Sequence, residues 1–429
     1  MNTVPDAGRT PDTVPASLAA CDRWLSRSLA GADDADGVWL ARARGVALAG
    51  AAFTLAMSAW KAVGPLSTSD LFLVAAVLLM LPRFELMPAR RFWVPALAVA
   101  LITVGGVAGT FISSSSEVGA SFDVLMRFAL ASFGSLLLVA CWRPDMTAIR
   151  SFSCLWIAGG IASAIVAFTI PDLHMFLRPS GLAPHPTHLA LISLILFGVS
   201  LGLVISDRRP IVVWLGLAAA AVLFAAVVVS GSRAGLGAAA IITILVLIAG
   251  GERVVNWARE NIVTAAVIVI LLVIALVLFG SVAGDRSAFD RLFGGDPTSD
   301  QSRDAYNEDA WARFKTDPVV GVGFADAVDA HNFFLQVGSA SGIVGVIGAV
   351  LLIVLALKSY WIAGWRRMSE NPMYWAMAAA LAASVVGYLI LSLFQNVIWD
   401  RNIWILFAFT TWACMAFTGG DETAEHEAA

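Results

Sequence analysis

The chain has 429 residues, of which 59% are hydrophobic and 14% are charged, and its mean hydropathy is +0.82. This balance excludes an ordinary soluble fold and indicates a protein that lies in a membrane. The formal net charge of −4 and the lack of a basic cluster in the sequence argue against nucleic acid as a partner.

The two ends of the chain are polar, unlike the long segment between them. Residues 1–43 are rich in Pro, Ala and Asp and lack the apolar core of a cleaved signal peptide, so they predict a loose cytoplasmic tail. Residues 419–429 predict a second cytoplasmic tail. Between the tails, residues 44–418 form the predicted transmembrane domain.

Long apolar runs predict an all-α polytopic membrane protein with about twelve transmembrane helices. Most runs approach the roughly 20 residues that a helix needs to cross a bilayer. Lipid offers no partner for unpaired backbone groups, and the alternation of a porin strand is absent from the sequence, so helices are expected. The predicted spans are 44–60, 69–82, 92–113, 123–141, 151–170, 187–205, 210–229, 234–250, 261–283, 333–357, 373–394 and 402–418.

Charge bias in the connections predicts the orientation of these spans. Connections such as "PRFELMPARR" and "SDRRP" carry two or three cations and alternate with connections that carry few. Basic connections favour the cytoplasmic side, so both termini are expected there. The outer side then receives Arg178, Arg233 and His331. The outer connections are 171–186, 230–233, 284–332 and 395–401.

The large outer loop, 284–332, separates the predicted ninth and tenth spans, and a loop of this length is typically functional or disordered. Within it, Tyr306, Ala310 and Phe314 follow a helical spacing after Ser and Asp cap candidates. Pro318 is expected to end this helix. The following "VVGVGF" predicts a glycine-hinged turn, after which "DAHNFFLQ" leads into the next span.

Arg233 stands alone among apolar residues in "VVVSGSRAGLGAAA". One interpretation is a hairpin cap whose side chain snorkels to the lipid head groups. The other is an anion site, because Arg233 opens a helix whose N-terminal amides and dipole favour negative charge. Small neighbours allow a ligand to approach the backbone, and a guanidinium matches phosphate geometry. We therefore expect Arg233 to bind a phosphate or diphosphate.

Arg178 lies in "HMFLRPSGLAPHPTHLA" with two histidines. It is either an interfacial anchor or a second cation for the same anion, since topology places it on the face of Arg233. His185 and His188 are each expected either to begin a helix at the water boundary or, less strongly supported, to take part in catalysis.

His331 lies where the large loop meets the next span, in "DAHNFFLQ". Histidine is the side chain best suited to accept a proton near neutral pH, so His331 is a candidate base as well as a candidate structural residue. Asp326 and Asp329 precede it, but one histidine with two loop carboxylates is a weak metal signal. We therefore predict no metal.

Other charged residues are expected to be structural. Arg303 and Arg313 lie in the large loop, where one of them is a candidate phosphate ligand and a solvated helix face is the alternative. Asp123 and Arg127 are spaced i,i+4 near the outer end of the fourth span, so they are expected to neutralise each other.

Taken together, four motifs resemble the O-antigen ligase and polymerase-related membrane glycosyltransferases. They are "RPSGL…HPTHLA", "SGSRAGL", "R…AWARFKTDPVVGVGF" and "AHNFFLQ…SGIVGVIG". They occur in the family's order and cover about residues 178 to 350.

The resemblance implies a bacterial inner-membrane protein whose cavity opens on the outer face. Members transfer a glycan from an undecaprenyl-diphosphate carrier to an acceptor hydroxyl. On this resemblance Arg178 and Arg233 bind the diphosphate, Arg303 corresponds to a loop arginine that also binds it, and His331 is the base. The expected partners are this lipid-linked donor, a glycan or lipid acceptor, and membrane lipids, with no cofactor.

Elementary chemistry agrees with these expectations. Fixed arginines stabilise the charge that develops on a diphosphate leaving group without a metal, and a base accepts the acceptor's proton. One base and no candidate covalent nucleophile predict a single displacement with inversion at C1. A transporter or flippase is the alternative, but the sequence shows no repeated pair of interrupted helices. Ligation, polymerisation and transfer to a protein share this donor chemistry and stay open.

Overall fold

The computed structural model describes most of the predicted transmembrane domain. The described residues are 29, 38–59, 61–63, 66–85, 92–112, 118–170, 174–175, 178–251, 259, 297–325, 330–366, 371–395 and 400–415. The predicted ninth span, 261–283, and the carboxylates Asp326 and Asp329 lie outside them.

The described chain is mainly helical, as the sequence predicts. Its helices are α1 (Val38–Leu55), α2 (Thr68–Met80), α3 (Trp93–Ile112), α4 (Val118–Trp142), α5 (Met146–Thr169), α6 (Pro186–Ser206), α7 (Pro210–Val229), α8 (Arg233–Gly250), α9 (Pro297–Thr316), α10 (Phe333–Arg366), α11 (Pro372–Ser392) and α12 (Arg401–Met415). A 3₁₀ turn, Leu81–Arg83, follows α2.

Among the described residues, eight helices are long and apolar enough to cross a membrane, namely α3 to α8, α10 and α11. Helices α1, α2 and α12 coincide with predicted spans, but α2 has 13 residues and α12 has 15. An all-α polytopic membrane protein is therefore confirmed, and the total of about twelve spans stays a prediction. Helix α1 begins at Val38, earlier than the predicted span at residue 44.

Two short antiparallel strand pairs refine the all-α prediction. Strand β1 (Lys61–Val63) pairs with β2 (Leu66–Ser67), and β3 (His174–Met175) pairs with β4 (Arg178–Pro179). Hydropathy does not reveal such strands because each has only two or three residues. The second pair matters most, since it includes Arg178.

Several helices begin at residues whose side chains cap the first turn. Ser67 and Asp70 form a capping box at the start of α2, and the Asn371 side chain accepts from two backbone amides at the start of α11. The Asp145 side chain caps α5 by accepting from the Ala148 amide at 2.7 Å. Because the first four amides of a helix lack intrahelical partners, these caps define where the spans begin.

Helices α6 and α11 form the centre of the bundle. In their most apolar windows 89% and 83% of the residues are buried, against 33% for α8. Small residues bring these helices close together: a Cβ added at Gly198 would lie 2.1 Å from Ser384 Oγ. Close approach of this kind is typical of helix packing in membranes.

Helix α10 is broken at Gly342, whose φ of 61° and ψ of −159° lie outside the helical region. The segment after α9 occupies the break. The amides of Val322 and Gly323 donate to the carbonyls of Ser339 and Ala340 at 2.8 and 3.1 Å. These bonds satisfy carbonyls that the break releases, so the predicted glycine-hinged turn holds the first part of α10 in place.

Polar contacts group the connections at two ends of the bundle, and we name each end by one residue. At the Ser230 end, the Ala59 amide donates to the Leu182 carbonyl at 3.0 Å, and Gln395 Nε2 donates to Ser232 Oγ at 3.4 Å. Helices α6, α8, α10 and α12 begin here.

The Ser206 end lies at the other ends of the same helices. Here Arg150 Nη2 donates to the Ser206 carbonyl at 2.8 Å, and Trp412 Nε1 donates to the Pro144 carbonyl at 2.8 Å. Arg143 Nη2 donates to the Arg83 carbonyl at 2.6 Å. These connections belong to the arginine-rich set of the sequence.

Candidate functional site

Arg178 contacts the turn that carries Arg233. Its Nε donates to the Ser230 carbonyl at 2.8 Å, and its Nη2 donates to the same oxygen. Ser230 is the C-terminal cap of α7 and is followed by the turn into α8. The two predicted diphosphate ligands thus come from loops that lie against each other at the Ser230 end.

The turn between α7 and α8 is buried and leads to Arg233, which is partly exposed. Gly231 has a φ of 71°, a left-handed conformation that favours glycine. Ser232 then caps α8, its Oγ accepting from the Gly235 amide at 3.1 Å. Arg233 is therefore the first helical residue, beside amides that point along the positive end of the helix dipole.

His185 lies at the start of α6, close to several cationic groups. Its Nδ1 lies 3.2 Å from the Thr187 amide, whose proton it accepts, and 2.7 Å from Thr187 Oγ1, so it caps α6. Burial, followed by the charges of His188, Arg178 and His331, lowers the pKa of His185 from 6.5 to about 4. Burial is the main cause of this lowering, and the nearby cationic groups His188, Arg178 and His331 add to it.

His331 lies at this same region and also contacts the helix of the large loop. Its ring meets the ring of Tyr306 edge-on, with centroids 5.9 Å apart. Tyr306 belongs to α9, in which Arg303 lies one turn earlier. The predicted loop helix is confirmed, and it ends at Thr316 just before Pro318. Its more buried side carries Arg303, Ala310 and Phe314, whereas Tyr306 is half-exposed.

Four helix N-termini meet around these side chains. Asn332 caps α10 through its Oδ1, which accepts from the amides of Phe334 and Leu335 at 2.9 and 3.2 Å. The others are the starts of α6, α8 and α12. Each contributes a partial positive charge, and together with the arginines they favour a multiply charged anion.

Asp400 also lies in this region and is not among the site residues predicted from the sequence. Its Oδ2 lies 3.6 Å from Nδ1 of His188, and its side chain is almost fully buried. Burial raises the pKa of Asp400, but contacts with His188 and Asn402 outweigh burial and lower the pKa below its ordinary value. The signal in the sequence was "WDRN", a charged pair inside an outer connection.

A second buried pair braces the same end. Arg401, the first residue of α12, forms a two-pronged ion pair with Asp70 of α2. Asp70 Oδ2 also accepts from the Ser67 amide at 2.8 Å. Because both carboxylate oxygens are engaged, this pair joins two helix starts rather than presenting a charge to a ligand.

Two charged candidates from the sequence, Arg127 and Arg313, form ion pairs within their own helices. Arg127 and Asp123 form the expected i,i+4 ion pair on α4. Arg313 Nε lies 3.2 Å from Asp309 on α9, which agrees with a solvated helix face. Among the described residues no group of three or more His, Cys, Asp or Glu is arranged for a metal. Asp326 and Asp329, which the sequence combines with His331, lie outside the described residues.

The fold and the site define a polytopic helical membrane protein with cations and helix N-termini gathered at one end. Residues 218–350 match the family described as O-antigen ligase, Wzy_C. The match confirms the resemblance for this part of the chain, which is less than half of its 429 residues. No curated protein matches the chain.

The matched region covers part of the site. It includes Arg233, α9, His331 and the break in α10. Arg178, His188 and Asp400 lie outside it, and they are connected to the matched region by the contacts described above. These contacts, rather than the family match, assign those residues to the site.

Proposed function

We propose that this chain is a glycosyltransferase of the bacterial inner membrane, with its active site on the outer face. It moves a glycan from an undecaprenyl-diphosphate carrier to an acceptor hydroxyl, as a ligase or polymerase of a surface polysaccharide. The observation that carries the proposal is the position of Arg178 against the turn of Arg233, with His331 in the same charged region.

The site suits a diphosphate in two ways. Arginine side chains supply forked N–H donors, which match phosphate oxygens better than the point charge of lysine does. The starts of α8 and α10 supply backbone amides and dipoles without needing to reorganise. In this proposal Arg178 and Arg233 bind the diphosphate, and Arg303 approaches it from α9.

His331 acts as the base. The acceptor hydroxyl gives its proton to the imidazole while its oxygen forms a bond to C1 of the donor sugar. The C1–O bond to the diphosphate breaks, and the electron pair stays on the departing diphosphate. The arginines stabilise that charge, so the proposed reaction needs no metal. A single displacement inverts the configuration at C1.

The decisive test replaces Arg233 with lysine in the purified, membrane-reconstituted chain. Arg233→Lys keeps the charge but loses the forked geometry, so transfer from a lipid-linked donor should fall by at least about tenfold while the protein stays folded. Arg313→Lys is the matched control, because Arg313 is bound to Asp309 on α9 and should transfer at the wild-type rate. Full activity of Arg233→Lys would contradict the proposed role.

Two further measurements sharpen the assignment. Mass spectrometry of glycans from a deletion strain should show single repeat units if the chain polymerises and long unattached chains if it ligates; neither would favour transport. A chelator should leave transfer intact. Strong inhibition would instead support a metal at Asp326, Asp329 and His331.

A further inference from the structure

The two histidines of "HPTH" make different contacts in the structure. His185 uses Nδ1 to cap α6, in contact with Thr187. His188 lies three positions later on the first turn of α6 and turns Nδ1 toward Asp400 at 3.6 Å. Its ring is 23% exposed, whereas the Asp400 side chain is 3% exposed. An accessible imidazole is thus backed by a buried carboxylate.

The carboxylate of Asp400 is fixed by its neighbours. Its Oδ1 accepts from the backbone amide and from Nδ2 of Asn402, both at 2.8 Å. Asn402 is itself held, since its Oδ1 accepts from Trp156 Nε1 at 2.8 Å and its Nδ2 also lies 3.3 Å from the Leu55 carbonyl. These bonds leave Oδ2 facing His188, so the carboxylate has one orientation.

A histidine that donates one nitrogen to a carboxylate has its ring orientation set by that contact, and its other nitrogen is directed to a ligand. An imidazolium donates from both nitrogens. Because Nδ1 faces Asp400 at 3.6 Å, Nε2 on the far side of the ring is the atom directed to a second anion, to which an imidazolium donates. Gln395, in the connection that also carries Asp400, donates to Ser232 Oγ at 3.4 Å beside Arg233, so the imidazole and its carboxylate lie next to the turn that carries this arginine.

We propose that His188 is a further ligand of the donor diphosphate and that Asp400 is the positioning residue that presents it. The inference rests on the proposed function, because it adds a donor to the same anion site. Asp400 accepts from Nδ1, and a non-bridging oxygen of the diphosphate accepts from Nε2. No bond between heavy atoms forms or breaks at His188.

The test measures binding of farnesyl diphosphate, farnesyl phosphate and farnesol to the full chain in lipid nanodiscs. His188→Gln should weaken binding of farnesyl diphosphate by about tenfold or more, as expected for loss of a hydrogen bond between charged groups. Binding of farnesol should be unchanged. His188→Lys, which keeps a cation, should recover part of the lost affinity.

A double-mutant cycle separates positioning from a structural role of Asp400. Asp400→Asn should weaken binding of farnesyl diphosphate in the wild-type chain but add nothing in the His188→Gln background, because its effect passes through His188. A loss that persists in full in that background would overturn the positioning role. Asp207→Asn, the same change at the Ser206 end, should bind like the wild type.

Failure of this inference is distinguishable from failure of the proposed function. If Arg178→Lys and Arg233→Lys weaken binding while His188→Gln does not, only the role of His188 is wrong. If neither arginine variant weakens binding, the anion site itself is wrong. Normal binding with lost transfer in His188→Gln would place His188 at the acceptor and overturn the inference.

Discussion

The two ends of the bundle differ in the charged groups that surround their titratable side chains. At the Ser206 end, Arg209 binds Asp207 at 2.7 Å. This contact lowers the pKa of Asp207 to about 2, although burial raises the pKa by a smaller amount. At the Ser230 end, burial and then neighbouring cationic groups lower the pKa of His185 to about 4. Both ends contain cation–carboxylate pairs, but only at the Ser230 end does one arginine, Arg178, lie against the turn that carries another, Arg233, among the described contacts.

This difference indicates which end of the bundle favours a bound anion. At the Ser206 end Arg143 also pairs with a carboxylate, Glu85, at 2.9 Å. The Ser230 end combines Arg178 and Arg233 with helix N-termini, and these positive charges favour the binding of an anion there. We therefore attribute anion binding to the Ser230 end, where the buried Asp70–Arg401 pair also braces the fold.

The largest expected effect comes from removing the proposed base. His331→Ala should lower transfer by roughly 10²- to 10⁴-fold, the usual contribution of general-base catalysis, while the lipid-linked donor still binds. Single-turnover transfer and equilibrium binding of the donor check the two halves of this prediction. Normal transfer would mean that another residue accepts the proton.

The sequence predicted the helices better than it predicted the site. Hydropathy predicted a span at 210–229, and α7 has the same bounds, because apolar length and a following polar turn determine where a membrane helix ends. It could not show that Arg178 contacts Ser230, since that contact depends on how separate loops pack. Nor could it show the break at Gly342, because the apolar run continues through it.

Buried pairing at the Ser230 end predicts the next largest effect, this time on stability. Asp70→Asn breaks a pair whose side chains are only 2% and 12% exposed, so it should lower the free energy of unfolding by about 3–5 kcal/mol. Asp207→Asn should cost less than about 1 kcal/mol, because Arg209 is 72% exposed.

Thermal unfolding in one detergent checks both variants. Equal losses would show that the two ends are braced alike and would remove the contrast between them. The Asp70 variant with its partner also removed, Asp70→Asn with Arg401→Gln, should recover part of the loss, because no uncompensated charge then stays buried.

The smallest expected effect concerns the pH dependence of stability. His185 titrates at about 4 in the fold and ordinarily at 6.5, so between these values the unfolded chain binds more protons. Its contribution is fully present above about pH 6.5 and is lost as the pH falls toward 4. His185→Asn keeps a capping side chain and removes the titration, so it should match the wild type near pH 7.5 and lose less stability on acidification.

Unfolding of both chains from pH 7.5 to 4.5 measures this difference within a window that stays above the ordinary carboxylate value of 3.8. His188, His331, Arg178 and Asp400 are retained in both, so subtracting one curve from the other removes their shared contribution to first order. Parallel curves would mean that His185 is not held neutral by burial and by the cationic groups near it.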